Sequence, residues 1–232
     1  MIHVTIDKKV QSVLRVGVLE VAGMEMPADN GDQIWSLFCS LSDALHVAHA
    51  GRNLAEIAGV QDARRLYRTI GIDPTRTRPS SEALLRRSIK GKGVYRVHPL
   101  VDILNYVSLK QLMPLGLYDV SRIQGDSVHV QLGEDGWGFD GIRKDRVNVA
   151  GRLCVVDAAG PFGSPTSDSL RTAIDGVVSN ALVLLYQTRT GEAEFLEASL
   201  SLSRSVLVDP LGLGPSGQPA VASISELPAL IP

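Results

Sequence analysis

The sequence predicts an α+β fold, on three observations. Apolar β-branched runs, as in residues 13–21 and 181–186, alternate irregularly with stretches that carry helical 3–4 spacing. No regular βαβ succession runs through them, which argues against a doubly wound sheet. Prolines and glycines cluster between the periodic stretches and divide them into short elements.

In chain order, residues 11–24 read as a strand, with Val13, Leu14, Val16, Val18, Leu19 and Val21 forming its apolar run. Residues 33–50 read as a helix, since Ile34, Leu37, Leu41, Leu45 and Ala48 share one face and Gly51 supplies a stop. Residues 53–70 carry a second helix, with a possible break at Gly59 and Val60. Pro74 and Pro79 exclude a helix interior from 73–81. Ser80 or Ser81 is then expected to cap a helix over 82–90 that Gly91 ends. Pro99 opens a helix over 100–112, closed before Pro114. Residues 128–132 and 153–157 read as strands, with turns at 133–136 and at Gly141. Residues 167–179 read as a helix start or a short helix, 181–186 as a buried strand and 192–202 as a helix. From Pro210 onward, Gly and Pro give the composition of a loose tail. One domain over 1–209, followed by a flexible tail over 210–232, is the expected organisation.

Composition narrows the function classes. The chain has 232 residues, of which 44% are hydrophobic and 21% charged, the balance of a globular protein able to bury a core. No apolar run reaches the roughly 18–20 residues of a membrane span, and the first residues do not resemble a signal peptide, so a cytoplasmic protein is expected. Cys39 and Cys154 cannot build a disulfide framework or a four-cysteine zinc site. His46 and His49 lie three apart on a helix without a third ligand spaced to join them, so no metal is expected, and no cofactor fingerprint is present.

The net charge of −2 hides an asymmetry. Residues 61–96 hold ten basic side chains against three acidic ones and carry +7; the remainder, with 13 basic and 22 acidic residues, carries −9. Clustered cations suit a polyanion partner, although solvated helix faces neutralised by acidic neighbours give the same pattern. Arg64, Arg65, Arg68, Arg86, Arg87, Lys90, Lys92 and Arg96 are the candidate phosphate contacts.

Two adjoining motifs carry a family resemblance. The run Pro99-Leu100-Val101-Asp102-Ile103-Leu104-Asn105-Tyr106-Val107-Ser108-Leu109 is followed by Met113-Pro114-Leu115-Gly116-Leu117-Tyr118-Asp119. They resemble the V-D-x-x-N-Y-V-x-L and Q-P-[LM]-H-[AG]-[FY]-D runs of the B3/B4 tRNA-binding, editing domain of the phenylalanyl-tRNA synthetase β chain. Residues 72–87 are similar to the stretch of free-standing members of that family. The resemblance covers about residues 60–190. It implies a three-layer domain with a β-sandwich covered by helices, and a tRNA-binding protein able to edit mischarged aminoacyl-tRNA in trans. It does not imply a complete ligase. Gly116 stands where the family motif has a histidine.

The expected substrate pocket comprises Arg78, Ser80, Ser81, Glu82, Asn105, Asp157 and Arg171. A turn entering a helix N-terminus beside Arg76 and Arg78 could hold a phosphate or a carboxylate; it could equally be a capped helix with surface arginines. Asn105 could orient a substrate amide or tie down neighbouring backbone. Asp157, at a strand end, and the group Asp168-Ser169-x-Arg171-Thr172 could form a polar site or a structural Asp–Arg pair. With no imidazole at 116, hydrolysis would use a water polarised by a carboxylate or by the ribose hydroxyl of the tRNA. The alternatives are a non-catalytic module for a small ligand or protein partner, and an enzyme acting on a free small molecule.

Overall fold

A short strand, β1 (His3–Ile6), leads into a helical turn, α1 (Lys8–Gln11), which Asp7 caps by accepting from the Lys9 amide. That turn takes up Gln11, so the first long strand, β2, spans Leu14–Ala22 and starts later than the sequence predicts. The computed structural model describes residues 2–24, 31–142, 145–211 and 223–227.

Helix α2 (Asp32–Ala48) is followed by a 3-10 turn over Leu54–Glu56 and by α3 (Ala58–Thr69). The break between them falls at Ile57, whose backbone is extended, and not at Gly59. Gly59 stays helical because α3 passes close to Leu112: a Cβ at Gly59 would meet the Leu112 Cβ at 2.8 Å. Next come α4 (Ser80–Ile89) and α5 (Pro99–Gln111). Residues 115–168 supply β3 (Leu115–Asp119), β4 (Ser127–Leu132), β5 (Gly138–Asp140), β6 (Arg146–Asn148), β7 (Leu153–Asp157), β8 (Gly160–Ser164) and β9 (Ser167–Asp168). Strand β10 (Ala181–Thr188), helix α6 (Ala193–Leu211) and strand β11 (Ser223–Leu227) complete the order.

One sheet has the order β1-β4-β7-β8-β9, with β1 parallel to β4; the other has the order β11-β2-β10-β3. A separate hairpin pairs β5 with β6. Strict alternation along β2 and β10 splits their side chains between two cores. Val16, Val18, Leu182, Leu184 and Tyr186 meet Val128, Val130, Leu153, Val155 and Phe162 of the opposing sheet, together with Leu66 and Tyr67 of α3. Leu19, Val21, Val183 and Leu185 meet Leu100, Ile103 and Leu104 of α5 and Leu196 and Leu207 of α6. Burial on both faces explains why these strands read as continuous apolar runs. A third core joins Phe38 of α2, Leu84 and Leu85 of α4 and Leu109 of α5. The architecture is α+β: two facing sheets, with helices packed on the outer face of the four-stranded one.

Two expectations are corrected. Residues 167–179 do not form a helix: Ser167 and Asp168 pair with β8, and Ser169 Oγ accepts from the Thr172 amide. Polar side chains here bond to nearby backbone and take the place of a helical ladder. The expected tail is structured in part, since α6 runs to Leu211 and residues 223–227 pair antiparallel with β2. The Gly/Pro-rich composition behind that expectation ends before Ser223. Residues 212–222 and 228–232 lie outside the described residues.

Candidate functional site

Helix α5 and strand β3, which carry the two motifs, form one side of a cavity of about 480 Å³. Pro99 sets the first turn of α5, and His98 caps it: its Nδ1 accepts from the Leu100 amide at 3.2 Å. The other imidazole nitrogen, Nε2, lies 2.9 Å from the Gly176 carbonyl and must donate to it, which fixes the neutral tautomer. His98 therefore ties α5 to the 173–176 segment across the cavity, with both nitrogens engaged.

The lining is stratified. Leu104, Leu117 and Ala173 are buried and form the floor, and Val101, Leu115 and Ile174 are half-buried walls. Ser80, Asp175, Ile142 and Leu170 are exposed at the rim, while Asn105, Arg122 and Asp168 lie between. The Asn105 amide has no hydrogen-bond partner among the described residues, whereas Ser108 Oγ already donates to the Met113 carbonyl at 2.8 Å. Arg122 is held at one end by Asp119, with Nε 3.3 Å from Oδ2, and remains partly exposed on the cavity side. Asp168 lies against the buried Tyr118 hydroxyl; burial, then Tyr186, then Asp168 push the ionisation of that phenol well up.

Of the expected pocket residues, Ser80 and Asn105 line this cavity. The others are placed elsewhere. Neither Ser80 nor Ser81 caps α4; the N-cap is Pro79, and it makes no side-chain capping bond. Ser81 is fully buried, and its hydroxyl has no partner among the described residues. The anion that the two arginines hold is the protein's own Glu82, buried in the first turn of α4. Arg64 donates to it from Nε and from a terminal nitrogen, both at 2.7 Å, and Arg78 donates from Nε at 3.3 Å. Hydrogen bonding to Glu82 raises the Arg64 pKa, with burial acting in the opposite direction. Arg76 pairs with Asp73 on the surface.

Asp157 and Arg171 form a bidentate pair at 2.8 and 2.9 Å, the geometry in which a guanidinium matches a carboxylate. Asp157 also accepts from the Gln124 and Ala159 amides, and Arg171 donates to the Arg122 carbonyl. This pair clamps the loop that presents Arg122. It acts behind the cavity and does not line it.

The basic residues divide likewise. Arg64 is taken by Glu82, Arg65 lies 3.5 Å from Asp62, and Arg96 pairs with Asp32 at 2.7 Å while lying over Trp35. Arg87 donates to the Gly93 carbonyl and stacks on Tyr95. Arg68, Arg86, Lys90 and Lys92 have no ion pair within the described residues and keep their charge for solvent or a partner. Trp137 packs beside Phe139, Val149 and Cys154. Sequence reading missed His98 and Arg122. His98 left the signal of a polar residue before a helix-opening proline; Arg122 left none.

Fold and site together define an α+β binding domain whose pocket is framed by a helix and the strand that follows it. A family model described as "B3/4 domain" matches residues 62–183, more than half of the chain. The chain belongs to the B3/4 domain family. It is 24% identical over 151 residues to the phenylalanine–tRNA ligase β subunit of Rhodopirellula baltica, covering 62% of this chain and 22% of that protein. The chain thus spans about a fifth of that subunit's length. Among solved structures, an N-terminal fragment of the phenylalanyl-tRNA synthetase β subunit from Pyrococcus horikoshii aligns with 91% of this chain and 49% of its own. The TM-score is 0.44 and the identity 11%. No helix among the described residues is long and apolar enough to cross a membrane.

Proposed function

We propose that this chain is a tRNA-binding module that receives the aminoacyl end of tRNA in the cavity beside α5. The observation that carries this reading is the position of the family motifs: they wall a cavity of about 480 Å³, inside the roughly 300–1,000 Å³ range of ligand pockets. Its rim is flanked by Arg78, Arg96 and Arg122. Arg68, Arg86, Lys90 and Lys92 would add phosphate contacts that position the RNA without reading its sequence.

Hydrolysis of mischarged aminoacyl-tRNA in trans is the finer form of the proposal. The lining offers no activated side-chain nucleophile: both His98 nitrogens are engaged, and Ser80 has no base bonded to it among the described residues. The attacking group is then water. Its proton passes to the Asp168 carboxylate or to the ribose hydroxyl, the ester bond breaks, and the amino acid and tRNA leave. The engaged imidazole favours, as a second reading, a module that binds the same end without cleaving it.

Binding and deacylation of a panel of correctly charged and mischarged tRNAs, at two salt concentrations, tests both. The proposal expects affinity that falls steeply with salt. Release of one amino acid selects editing, and binding without release selects the module. Absence of binding at low salt refutes the proposal.

A further inference from the structure

We infer that the cavity selects the aminoacyl group by an apolar side chain, accepting aliphatic and plain aromatic groups and disfavouring hydroxylated or charged ones. This rests on the proposed reading that the cavity holds an aminoacyl end. The basis is the stratification of the lining. Every lining residue that is both buried and apolar belongs to the floor (Leu104, Leu117 and Ala173), and the adjoining walls, Val101, Leu115 and Ile174, add only hydrocarbon. The buried polar group in the lining, Ser108, spends its hydroxyl proton on the Met113 carbonyl. A hydroxyl or charge carried to that depth loses its water and finds no replacement.

Higher in the cavity the chemistry reverses. Asn105 offers an amide with no partner among the described residues, and Arg122 turns toward the cavity while Asp119 anchors its other end. These groups suit a carbonyl and an ester or phosphate oxygen. Asp168 and the exposed Asp175 suit an ammonium group. The polar backbone of an aminoacyl ester thus meets polar walls, and its side chain points to the floor. Ala173 sets the depth: it is the smallest side chain of the floor, and enlarging it removes space directly beneath the ligand.

The test uses non-hydrolysable 3′-aminoacylamino-3′-deoxyadenosines carrying phenylalanyl, leucyl, tyrosyl and lysyl groups, with phenylalaninamide and tyrosinamide as probes that lack the nucleoside. Phenylalanyl and leucyl analogues are expected to bind more tightly than the tyrosyl one, by a factor of up to roughly a hundred, since an apolar pocket discriminates against an added hydroxyl by about that much. Ala173→Leu should weaken the phenylalanyl analogue most. Leu115→Gln, at a half-buried wall, should bring the tyrosyl and phenylalanyl affinities together. Thermal unfolding of both variants separates loss of the pocket from loss of the fold. Equal affinity for all four analogues, or preference for tyrosyl or lysyl, overturns the selectivity and leaves tRNA binding standing. Phenyl selectivity among the amides with no gain from the adenosine keeps the selectivity and refutes the aminoacyl-tRNA reading. No binding of any probe, or of charged tRNA, by folded protein refutes both.

Discussion

The two arginines on Glu82 predict an order of damage that charge counting alone would not give. Glu82 is almost fully buried, at 1% exposure, while the Arg64 and Arg78 side chains are 25% and 39% exposed. Glu82→Gln keeps an oxygen acceptor for Arg64 and leaves two cations that water already reaches. Its cost should fall near about 1–3 kcal/mol, the range for losing a charge-assisted hydrogen bond. Arg64→Met keeps most of the arginine stem's packing but strands a buried carboxylate with only the longer 3.3 Å contact from Arg78. Its cost should lie near the 3–5 kcal/mol of a broken buried pair. At about 2–4 °C per kcal/mol for a chain of this size, the melting temperature should fall by roughly 2–12 °C for Glu82→Gln and further for Arg64→Met. Urea unfolding followed by circular dichroism gives the free energies. The double variant Arg64→Met/Glu82→Leu should recover part of the loss. If Glu82→Gln proves as costly as Arg64→Met, burial of the carboxylate does not govern this cluster.

Asp102 gives a pH signature. Burial raises its pKa, against the opposing effects of the Val97 amide and Arg96. A carboxyl whose folded pKa lies above its unfolded one favours folding when protonated, and that contribution is lost as pH rises through the folded value. Asp102→Asn retains an acceptor for the Val97 amide, so it should stabilise the protein at pH 7, with the gain vanishing below about pH 3.9. Thermal melts across that window check it, and a gain independent of pH would contradict the assignment. Burial pushes the Cys154 thiol up to about 12, so iodoacetamide at pH 8 should leave it unmodified until urea is added. Cys39, raised by burial, Asp43 and Asp102 but only partly covered, should label slowly in the native state; mass spectrometry distinguishes the two.

The parts of the fold legible in the sequence were those in which local pattern and tertiary demand agree. β10 and α5 fall where the apolar runs and Pro99 placed them, because both elements face packed neighbours along their length. β1 and the 167–179 segment were not legible. Four residues at a chain end carry too little periodicity, and the second segment is shaped by serine and aspartate bonds that resemble a helix start in one dimension. The cavity shows the same limit. Ser80 and Asn105 were found through their motifs. The recruitment of Arg64 and Arg78 by Glu82 depends on α3 packing beside α4, and spacing along the chain does not encode that contact. Arg122 reaches the cavity only because Asp157 and Arg171, on other elements, clamp its loop.

The Tyr118 ring lies in a slot between Gly116 and Gly163. A Cβ on Gly116 would stand 2.5 Å from the Tyr118 hydroxyl, and one on Gly163 would collide with the same ring. Tyr118 is fully enclosed and stacks edge-on against Phe162, so it cannot swing aside. Position 116, where the resembling motif has histidine, is thus closed here by volume as well as by residue identity. Gly116→His alone should cost at least the roughly 1–3 kcal/mol of overpacking. The same exchange made after Tyr118→Ala should be tolerated better. The two positions are therefore coupled in their history: the imidazole can return to this lineage only along a path that first trims the tyrosine, and the order of the two steps decides whether the intermediate folds.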